Sequence, residues 1–144
     1  MPLPDVTGWL LDFETAQNMF NSENNEHVEH CIEMCEAGTF RVAYAEETLF
    51  KNHTVLCAHF VKPQNRIVYP TPEIFAQCGN ISKNPKTKTL MPGNQSAIIL
   101  TAIAASEGYG LISDARSTHF CTVFDLCDHF GFHALSSEKY FLEL

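Results

Sequence analysis

The first third of the chain contains short apolar runs separated by segments with helical spacing. Residues 8–11 form an apolar run that predicts a buried strand, and residues 14–20 directly after it predict a helix. In residues 27–37 the apolar side chains recur at helical spacing, and Gly38 follows as a stop signal. Residues 40–44 have the composition of a second strand. This part of the chain therefore predicts the order strand, helix, helix, strand.

The middle of the chain has a less regular pattern. Residues 46–60 predict one helix, although residues 55–61 also fit an extended segment. The side chains expected to point inward from that helix are Leu49, Phe50, Val55 and Cys57. Residues 73–78 predict a short helix, and residues 79–93 predict a long polar connection of the kind that often carries function. Three lysines in this connection either contact phosphate or belong to a solvated loop: Lys83, Lys86 and Lys88.

The pattern is sharpest in the second half. Residues 97–105 are apolar nearly all round, which predicts a helix covered on most sides and ended by Gly108. A strand, a helix, a strand and a final helix then follow: residues 109–113, residues 122–130 with Gly131 as cap, residues 132–135, and a helix capped by Ser136 or Ser137. Right-handed crossovers between these strands predict a three-layer α/β/α sandwich with a mostly parallel sheet of four or five strands.

Composition narrows the class of protein. With 144 residues, of which 45% are hydrophobic, residues 1–144 are expected to form one domain with a substantial core. No apolar run approaches the ~20 residues of a membrane helix and the first residues do not resemble a secretory signal, so a cytoplasmic protein without membrane contact is expected. The net charge of -8 argues against broad attraction to nucleic acid, so RNA contact requires a local patch or a bound metal.

The cysteines and histidines offer a different chemistry. All six cysteines are expected to be free thiols, because a domain with this much core does not need disulfides. Five potential zinc ligands cluster near the end of the chain, but no Cys-x-x-Cys pair is present: His119, Cys121, Cys127, His129 and His133. Core cysteines and surface histidines are therefore favoured, and Cys31 and Cys35, one helical turn apart, are interpreted as packing residues. A Cys/His nucleophile remains an alternative, although no Gly-rich elbow identifies one.

Two aspartates follow predicted strands. Asp12 ends the first apolar run and Asp114 ends the strand at residues 109–113. The carboxyl ends of parallel strands lie along one edge of a sheet, where open α/β proteins bind their ligands, so these carboxylates predict a site for a hard metal. Each aspartate also has a structural interpretation: Asp12 as a helix cap, and Asp114 as the start of a loop with Arg116 as an ion-pair partner.

These residues lie in segments that resemble a known family. Residues 9–16, WLLDFETA, look like the first-strand motif of PIN domains, in which an aspartate ends the strand. Residues 93–116 resemble the PIN pattern of an alanine-rich helix, a short glycine turn and a strand that ends in an acidic group. Residues 122–133 are similar to the closing segment of small PIN-like proteins. The resemblance covers most of the chain in order and spacing.

The resemblance implies a ribonuclease that depends on Mg²⁺ or Mn²⁺, with Asp12 and Asp114 as catalytic residues and metal ligands. Further candidate ligands are Glu14, Glu46 and Glu47, which also fit solvated acids at helix starts. The acid that opens the alanine-rich helix in the family falls at Asn94 or Gln95 here, and an amide is a weaker, neutral ligand. The alternative is thus a degenerate site, in a catalytically inactive module that binds RNA or protein. Family members are often toxins held by an antitoxin partner, and many form homodimers. The resemblance therefore also implies a toxin-type protein with weakened activity, an antitoxin-like partner and a homodimer.

Overall fold

The centre of the fold is a sheet of short parallel strands. The computed structural model describes residues 3–64, 66–85, 87, 95–114 and 130–144. Five strands in these residues form one sheet in the order β3-β2-β1-β4-β5, and every neighbouring pair is parallel. Their bounds are β1 Trp9–Leu11, β2 Phe40–Ala43, β3 Ile67–Val68, β4 Gly110–Ile112 and β5 Ala134–Leu135. The predicted α/β class with a parallel sheet is confirmed.

Helices connect the strands and cover both faces of the sheet. In chain order they are α1 Phe13–Phe20, α2 Asn25–Glu36, α3 Glu47–Lys51, α4 Thr54–Leu56, α5 Pro72–Lys83, α6 Gln95–Glu107 and α7 Ser137–Leu142. A 3₁₀ turn, Tyr44–Glu46, precedes α3, and a π-helical segment, Cys57–Val61, continues α4. None of these helices combines the length and the apolar character that a helix needs to span a membrane.

Side-chain alternation along the strands divides the core into two layers. Leu10 of β1 faces a cluster that includes Ile74 of α5 and Leu100 of α6, whereas its neighbours Trp9 and Leu11 face the opposite side. That opposite cluster contains side chains from the other helices: Met19, Cys31, Cys35, Phe50, Leu56 and Tyr140. A strand has a side-chain period of two, so one short apolar strand buries side chains on both faces. The result is the predicted three-layer arrangement.

Local signals set the helix ends close to the predicted positions. Side chains at four N-caps accept hydrogen bonds from backbone N–H groups of the following turn: Asp12, Asn24, Thr71 and Ser136. Gly38 and Gly108 follow α2 and α6 with φ of 73°, a left-handed conformation that glycine adopts without a steric cost. These caps explain why helix ends are readable from sequence.

The predicted single helix over residues 46–60 is wrong. The chain breaks between α3 and α4, where His53 Nδ1 accepts a hydrogen bond from Leu56 N and starts a new helix. The prediction assumed one continuous helix with a single apolar face. Because the chain forms two short helices instead, the residues before and after the break do not share one face. Phe50 is buried, but Leu49 is 50% exposed and Val55 is 47% exposed, so the inward assignment of these two residues is also wrong.

Two further differences occur in the middle of the chain. Strand β3 has only two residues, too few to produce a detectable alternation in the sequence. Helix α5 extends to Lys83, so residues 79–83 are helical rather than part of the predicted connection. Lys86, Lys88 and most of the predicted helix at residues 122–130 lie outside the described residues.

The described cysteines carry free thiols. Cys31 and Cys35 are fully buried, and burial raises the pKa of each thiol to about 12, so both remain protonated packing groups. Cys57 and Cys78 are partly exposed free thiols. Of the predicted zinc alternatives, His133 is exposed. The remaining members lie outside the described residues: His119, Cys121, Cys127 and His129.

A close approach between β1 and β4 generates a test of the fold. Trp9 pairs with Gly110, and a Cβ atom at Gly110 would overlap the Trp9 ring. We expect Gly110→Ala to lower the free energy of unfolding by about 1–3 kcal/mol through overpacking. Gly79→Ala is the matched control, because this helical glycine is exposed and its Cβ would meet nothing within 4 Å. It should raise the free energy of unfolding by roughly 0.5–1 kcal/mol. Urea midpoints of both variants measure the difference, and equal midpoints would contradict the packing.

Candidate functional site

The candidate site lies where the connections of the sheet diverge. From β1 the chain moves outward through β2 to β3, and then crosses to β4 and β5 on the other side of β1. In open α/β sheets such a reversal marks the place beyond the carboxyl ends of the central strands where ligands bind. We call this place, with the residues that follow β1 and β4, the crevice. Asp12 directly follows β1, and Ser113 and Asp114 directly follow β4. The structure therefore brings the two predicted aspartates to one edge of the sheet.

Asp12 is buried and is held in place by the helix that it starts. Its side chain is 2% exposed, and Oδ1 accepts a hydrogen bond of 2.9 Å from Thr15 N. Thr15 Oγ1 lies 2.9 Å from each carboxylate oxygen of Asp12, and the Ser113 side chain also hydrogen-bonds to this carboxyl. Burial raises the pKa of Asp12 and the negative charge of Asp114 adds to it, while the hydrogen bonds oppose the rise. Asp12 therefore has the predicted capping role and is also a buried acid in the crevice.

Thr15 links the ends of the two central strands. Its hydroxyl donates to Asp12 after β1 and accepts a hydrogen bond of 2.7 Å from Asp114 N after β4. Thr15 is fully buried, so both bonds form away from solvent. A hydroxyl can donate once and accept twice, and Thr15 uses both capacities. The separation of Asp12 and Asp114 is thus set by one side chain of α1.

The Asp114 carboxylate contacts the last helix. Its Oδ1 atom accepts a hydrogen bond of 2.8 Å from Ser137 N, and its Oδ2 atom accepts one from the Ser137 hydroxyl. Carboxylates stabilise the N-terminus of a helix because the backbone N–H groups there lack helical partners. Asp114 therefore attaches the start of α7 to the end of β4. The Arg116 partner considered from the sequence lies outside the described residues.

Glu46 is the third acid of the crevice. It is 7% exposed in the 3₁₀ turn after β2, and its Oε2 atom accepts a hydrogen bond of 3.2 Å from Phe13 N. Its Oε1 atom is buried without a hydrogen-bond partner. Burial raises the pKa of Glu46 to about 7, the Phe13 bond lowers it, and the charge of neighbouring Asp12 raises it. A buried carboxylate oxygen without a partner is costly, and in native proteins an ion or a water molecule often supplies the missing contact.

The other predicted acids have different surroundings. Glu14 is exposed on the first turn of α1, and Glu47 is partly exposed and accepts a hydrogen bond of 3.1 Å from the Tyr69 hydroxyl. Gln95 is exposed as the first residue of α6, and Asn94 lies outside the described residues. Within the described part of the chain, no three His, Cys, Asp or Glu side chains converge closely enough to form a metal-binding group. Glu46 instead interacts electrostatically with one acid, Asp12.

Sequence reasoning did not identify the neutral residues of the site. Thr15 stands three residues after Asp12, the spacing at which an N-cap carboxylate receives a backbone hydrogen bond, so its position was readable from the helix start. Ser113 precedes Asp114 directly. The sequence predicts Ser137 as a candidate helix cap, whereas its bond to Asp114 joins residues that are 23 positions apart. The bonds of Ser113 to Asp12 and of Thr15 to Asp114 N also join distant residues, so none of these three contacts has a local signal.

Comparison with known proteins gives no independent assignment. No known protein family matches this chain, and no curated protein is similar enough to count as a match. The interpretation of the site therefore rests on its geometry and on the resemblance noted in the sequence.

The raised pKa of Glu46 generates a test in metal-free buffer. The pKa of the Glu46 carboxyl is about 7 in the folded protein and about 4.5 when the chain is unfolded. Between these pH values the carboxyl is protonated in the folded state and ionised in the unfolded state. The folded state of the wild type thus loses stability as pH rises from 4.5 to 7, by up to an amount on the order of 3 kcal/mol. Glu46→Gln removes this loss while its amide oxygen can still accept from Phe13 N.

We expect the stability of Glu46→Gln relative to the wild type to increase with pH through this window. Urea unfolding at several pH values, with EDTA present, measures the difference. Glu47→Gln is the control, because Glu47 is partly exposed, and it should show no such trend. Parallel pH profiles for Glu46→Gln and the wild type would contradict the assignment.

Proposed function

We propose that this chain is a PIN-like ribonuclease that uses Mg²⁺ or Mn²⁺ held by Asp12 and Glu46, with water as the remaining ligands and Asp114 as a neighbouring acid. The observation that carries the proposal is the Oε1 atom of Glu46, which is buried without a hydrogen-bond partner beside the buried Asp12. The strand reversal at this point supports the location, because both aspartates follow the central strands.

Electrostatics favour a cation at this position. Burial raises the pKa of both Asp12 and Glu46. A neighbouring acid raises each pKa further, Asp114 in the case of Asp12 and Asp12 in the case of Glu46. Clustered carboxylates in a low-dielectric environment ionise fully only when positive charge compensates them. Among the residues that the structure describes, no lysine or arginine shifts either pKa. A divalent cation with carboxylate and water ligands supplies that charge, since Mg²⁺ commonly binds through one or two carboxylates and keeps several waters.

The residues divide the work of binding and positioning. Oε1 of Glu46 is available to a cation or a water molecule, while Oε2 is held by Phe13 N. Thr15 and Ser113 donate to Asp12 and so favour its charged form. Asp114 adds negative charge from a position set by Ser137. A bound Mg²⁺ or Mn²⁺ would neutralise phosphate charge and lower the pKa of a bound water, which is the chemistry that phosphodiester hydrolysis requires.

The contacts favour Glu46 over Glu14 and Glu47 as the additional acid. Glu14 is exposed, and Glu47 bonds to Tyr69, whereas Glu46 interacts electrostatically with Asp12. RNA as the substrate, an antitoxin-like protein partner, a homodimer and a cytoplasmic location belong to the same proposal, as implications of the family resemblance. With a net charge of -8, the chain would rely on the cation and on uncharged contacts to hold RNA.

A second candidate function is a catalytically inactive module that binds RNA or protein. Two observations favour it: both carboxylate oxygens of Asp114 bond to Ser137, and Asp12 is the N-cap of α1. In this case the two aspartates stabilise the fold, and of the three described acids Glu46 alone has a buried oxygen without a hydrogen-bond partner. The family has an acid at the start of this helix, at the position of Asn94 or Gln95. In this chain Gln95 is an exposed amide, which also favours an inactive module.

Cation binding separates the two candidates. We expect about 1 mM Mn²⁺ to raise the Tm of the wild type by roughly 3–6 °C at pH 7.5, as follows from about 1–2 kcal/mol of binding energy. Glu46→Gln should lose most of the rise, and Glu14→Gln, which changes an exposed acid of α1, should retain it. Differential scanning fluorimetry provides the measurement. An unchanged Tm of the wild type in Mn²⁺ would exclude the metal site.

Cleavage of RNA tests turnover. We expect purified wild type to cut a labelled single-stranded RNA in Mn²⁺ and to stop in EDTA. Asp12→Asn retains an oxygen that can cap α1 but removes the charge, so its cleavage rate should fall at least roughly 100-fold, given the several kcal/mol that metal catalysis contributes. Glu14→Gln again serves as the control. Undiminished cleavage by Asp12→Asn would indicate a contaminant or another site, and a Mn²⁺-dependent rise in Tm without cleavage would support the inactive module.

A further inference from the structure

A groove opens beside the Asp114 end of the crevice. It lies between the end of α1, the start of α2 and the last helix α7, and its volume is about 360 Å³. Its wall includes Asn18, Met19, Ser22, His27, Phe141 and Leu142. Volumes of this order are typical of sites for small molecules. We call it the α1–α7 groove.

The α1–α7 groove has one aromatic wall. The rings of His27 and Phe141 stack with a centroid separation of 3.9 Å and an interplanar angle of 1°. Phe141 also makes edge contacts with Tyr140 and His30, so the core holds its ring in place. Both stacked side chains are only partly buried, and they line the groove. A planar ring that enters the groove can therefore extend an existing stack without reorganising the wall.

Polar groups and charge restrict the ligand further. Asn18 contributes an amide with donors and an acceptor, and Ser22 contributes a hydroxyl. Among the described residues that line the groove, none is a lysine or arginine, and one, Glu138, is acidic. A phosphate group would meet neither of these basic side chains there, whereas an uncharged aromatic ring with hydrogen-bonding edges would meet both a stacking wall and polar groups.

The groove is continuous with the proposed metal site. Ser137 lines the groove, and both its backbone N–H and its hydroxyl donate to the Asp114 carboxylate. A ligand that occupies the groove therefore lies one residue away from the acids of the crevice. In single-stranded RNA, unpaired bases stack on Phe, Tyr, Trp or His side chains, and amides read their edges.

We propose that the α1–α7 groove binds a nucleobase of single-stranded RNA, with the base against the His27–Phe141 stack and its edge toward Asn18. The inference rests on the proposed ribonuclease function for its ligand, and it deepens that function by naming the part of the substrate that binds outside the metal site. Stacking replaces the phosphate contacts that an acidic protein lacks, so binding depends weakly on salt.

The test uses adenosine, which carries a base but no phosphate, with the whole 144-residue chain in EDTA. We expect an NMR titration of ¹⁵N-labelled protein to shift the amides of Ser22, His27 and Leu142 in a saturable way, with ribose alone producing no such shifts. Phe141→Leu keeps an apolar side chain but removes the stack, so it should weaken adenosine binding at least about fivefold. His27→Ala, which changes a partly exposed residue of α2, should weaken it as well.

Phe75→Leu is the matched control. Phe75 is an aromatic residue of α5 that is 60% exposed and lies on the other face of the sheet, so its loss should leave adenosine binding unchanged. Binding that resists both Phe141→Leu and His27→Ala, or shifts located away from the groove, would overturn the inference, as would no response to adenosine at all.

The outcome is separable from that of the ribonuclease proposal. Adenosine binding without metal should be the same in Glu46→Gln as in the wild type, because Glu46 does not line the groove. Adenosine binding without a Mn²⁺ effect and without cleavage would support the base site and contradict the ribonuclease function. Cleavage of RNA without adenosine binding would support the ribonuclease function and contradict the base site.

Discussion

The hydroxyl of Thr15 joins the ends of β1 and β4, between which the order of strand connections reverses. It donates to Asp12 at the end of β1 and accepts from Asp114 N at the end of β4, and both contacts are shielded from water. Asp114 in turn holds the start of α7 through Ser137. The sheet, the first helix and the last helix therefore meet through one chain of hydrogen bonds. Such a connected, buried network is strong while every partner is satisfied and costly when one is missing.

Glu46 lies beside this network, and one of its carboxyl oxygens has no hydrogen-bond partner. Its Oε2 atom bonds to Phe13, but its Oε1 atom does not take part, and the Asp12 charge lies close by. Natural folds retain such a cost mainly where a ligand or a reaction uses it. The acids of this region thus differ in their surroundings: Asp12 and Asp114 stabilise helix starts, and Glu46 has a buried carboxyl oxygen without a partner. The groove at His27 and Phe141 adds an uncharged surface beside this acidic one.

Much of the fold was predictable because its signals are local. The apolar run before Asp12, the helix stop at Gly38 and the nearly all-apolar residues 97–105 each depend on neighbours within a few positions. The sequence did not predict β3, because two residues are too few to form a recognisable pattern. It also did not predict the helix break at His53, where a side chain caps a new helix within an apparently continuous apolar face. Both failures have the same cause, since tertiary packing decides whether short segments pair or bend.

The sequence by itself determined that this is an α/β chain whose aspartates stand at strand ends, because strand periodicity and the position after an apolar run are properties of consecutive residues. Only the tertiary structure decided what those carboxylates contact. The bond between Asp114 and Ser137, the burial of Glu46 beside Asp12 and the stack of His27 on Phe141 all join residues far apart in the chain. Packing of the helices on the sheet creates these contacts and sets their burial and charge environment, and no local pattern encodes them.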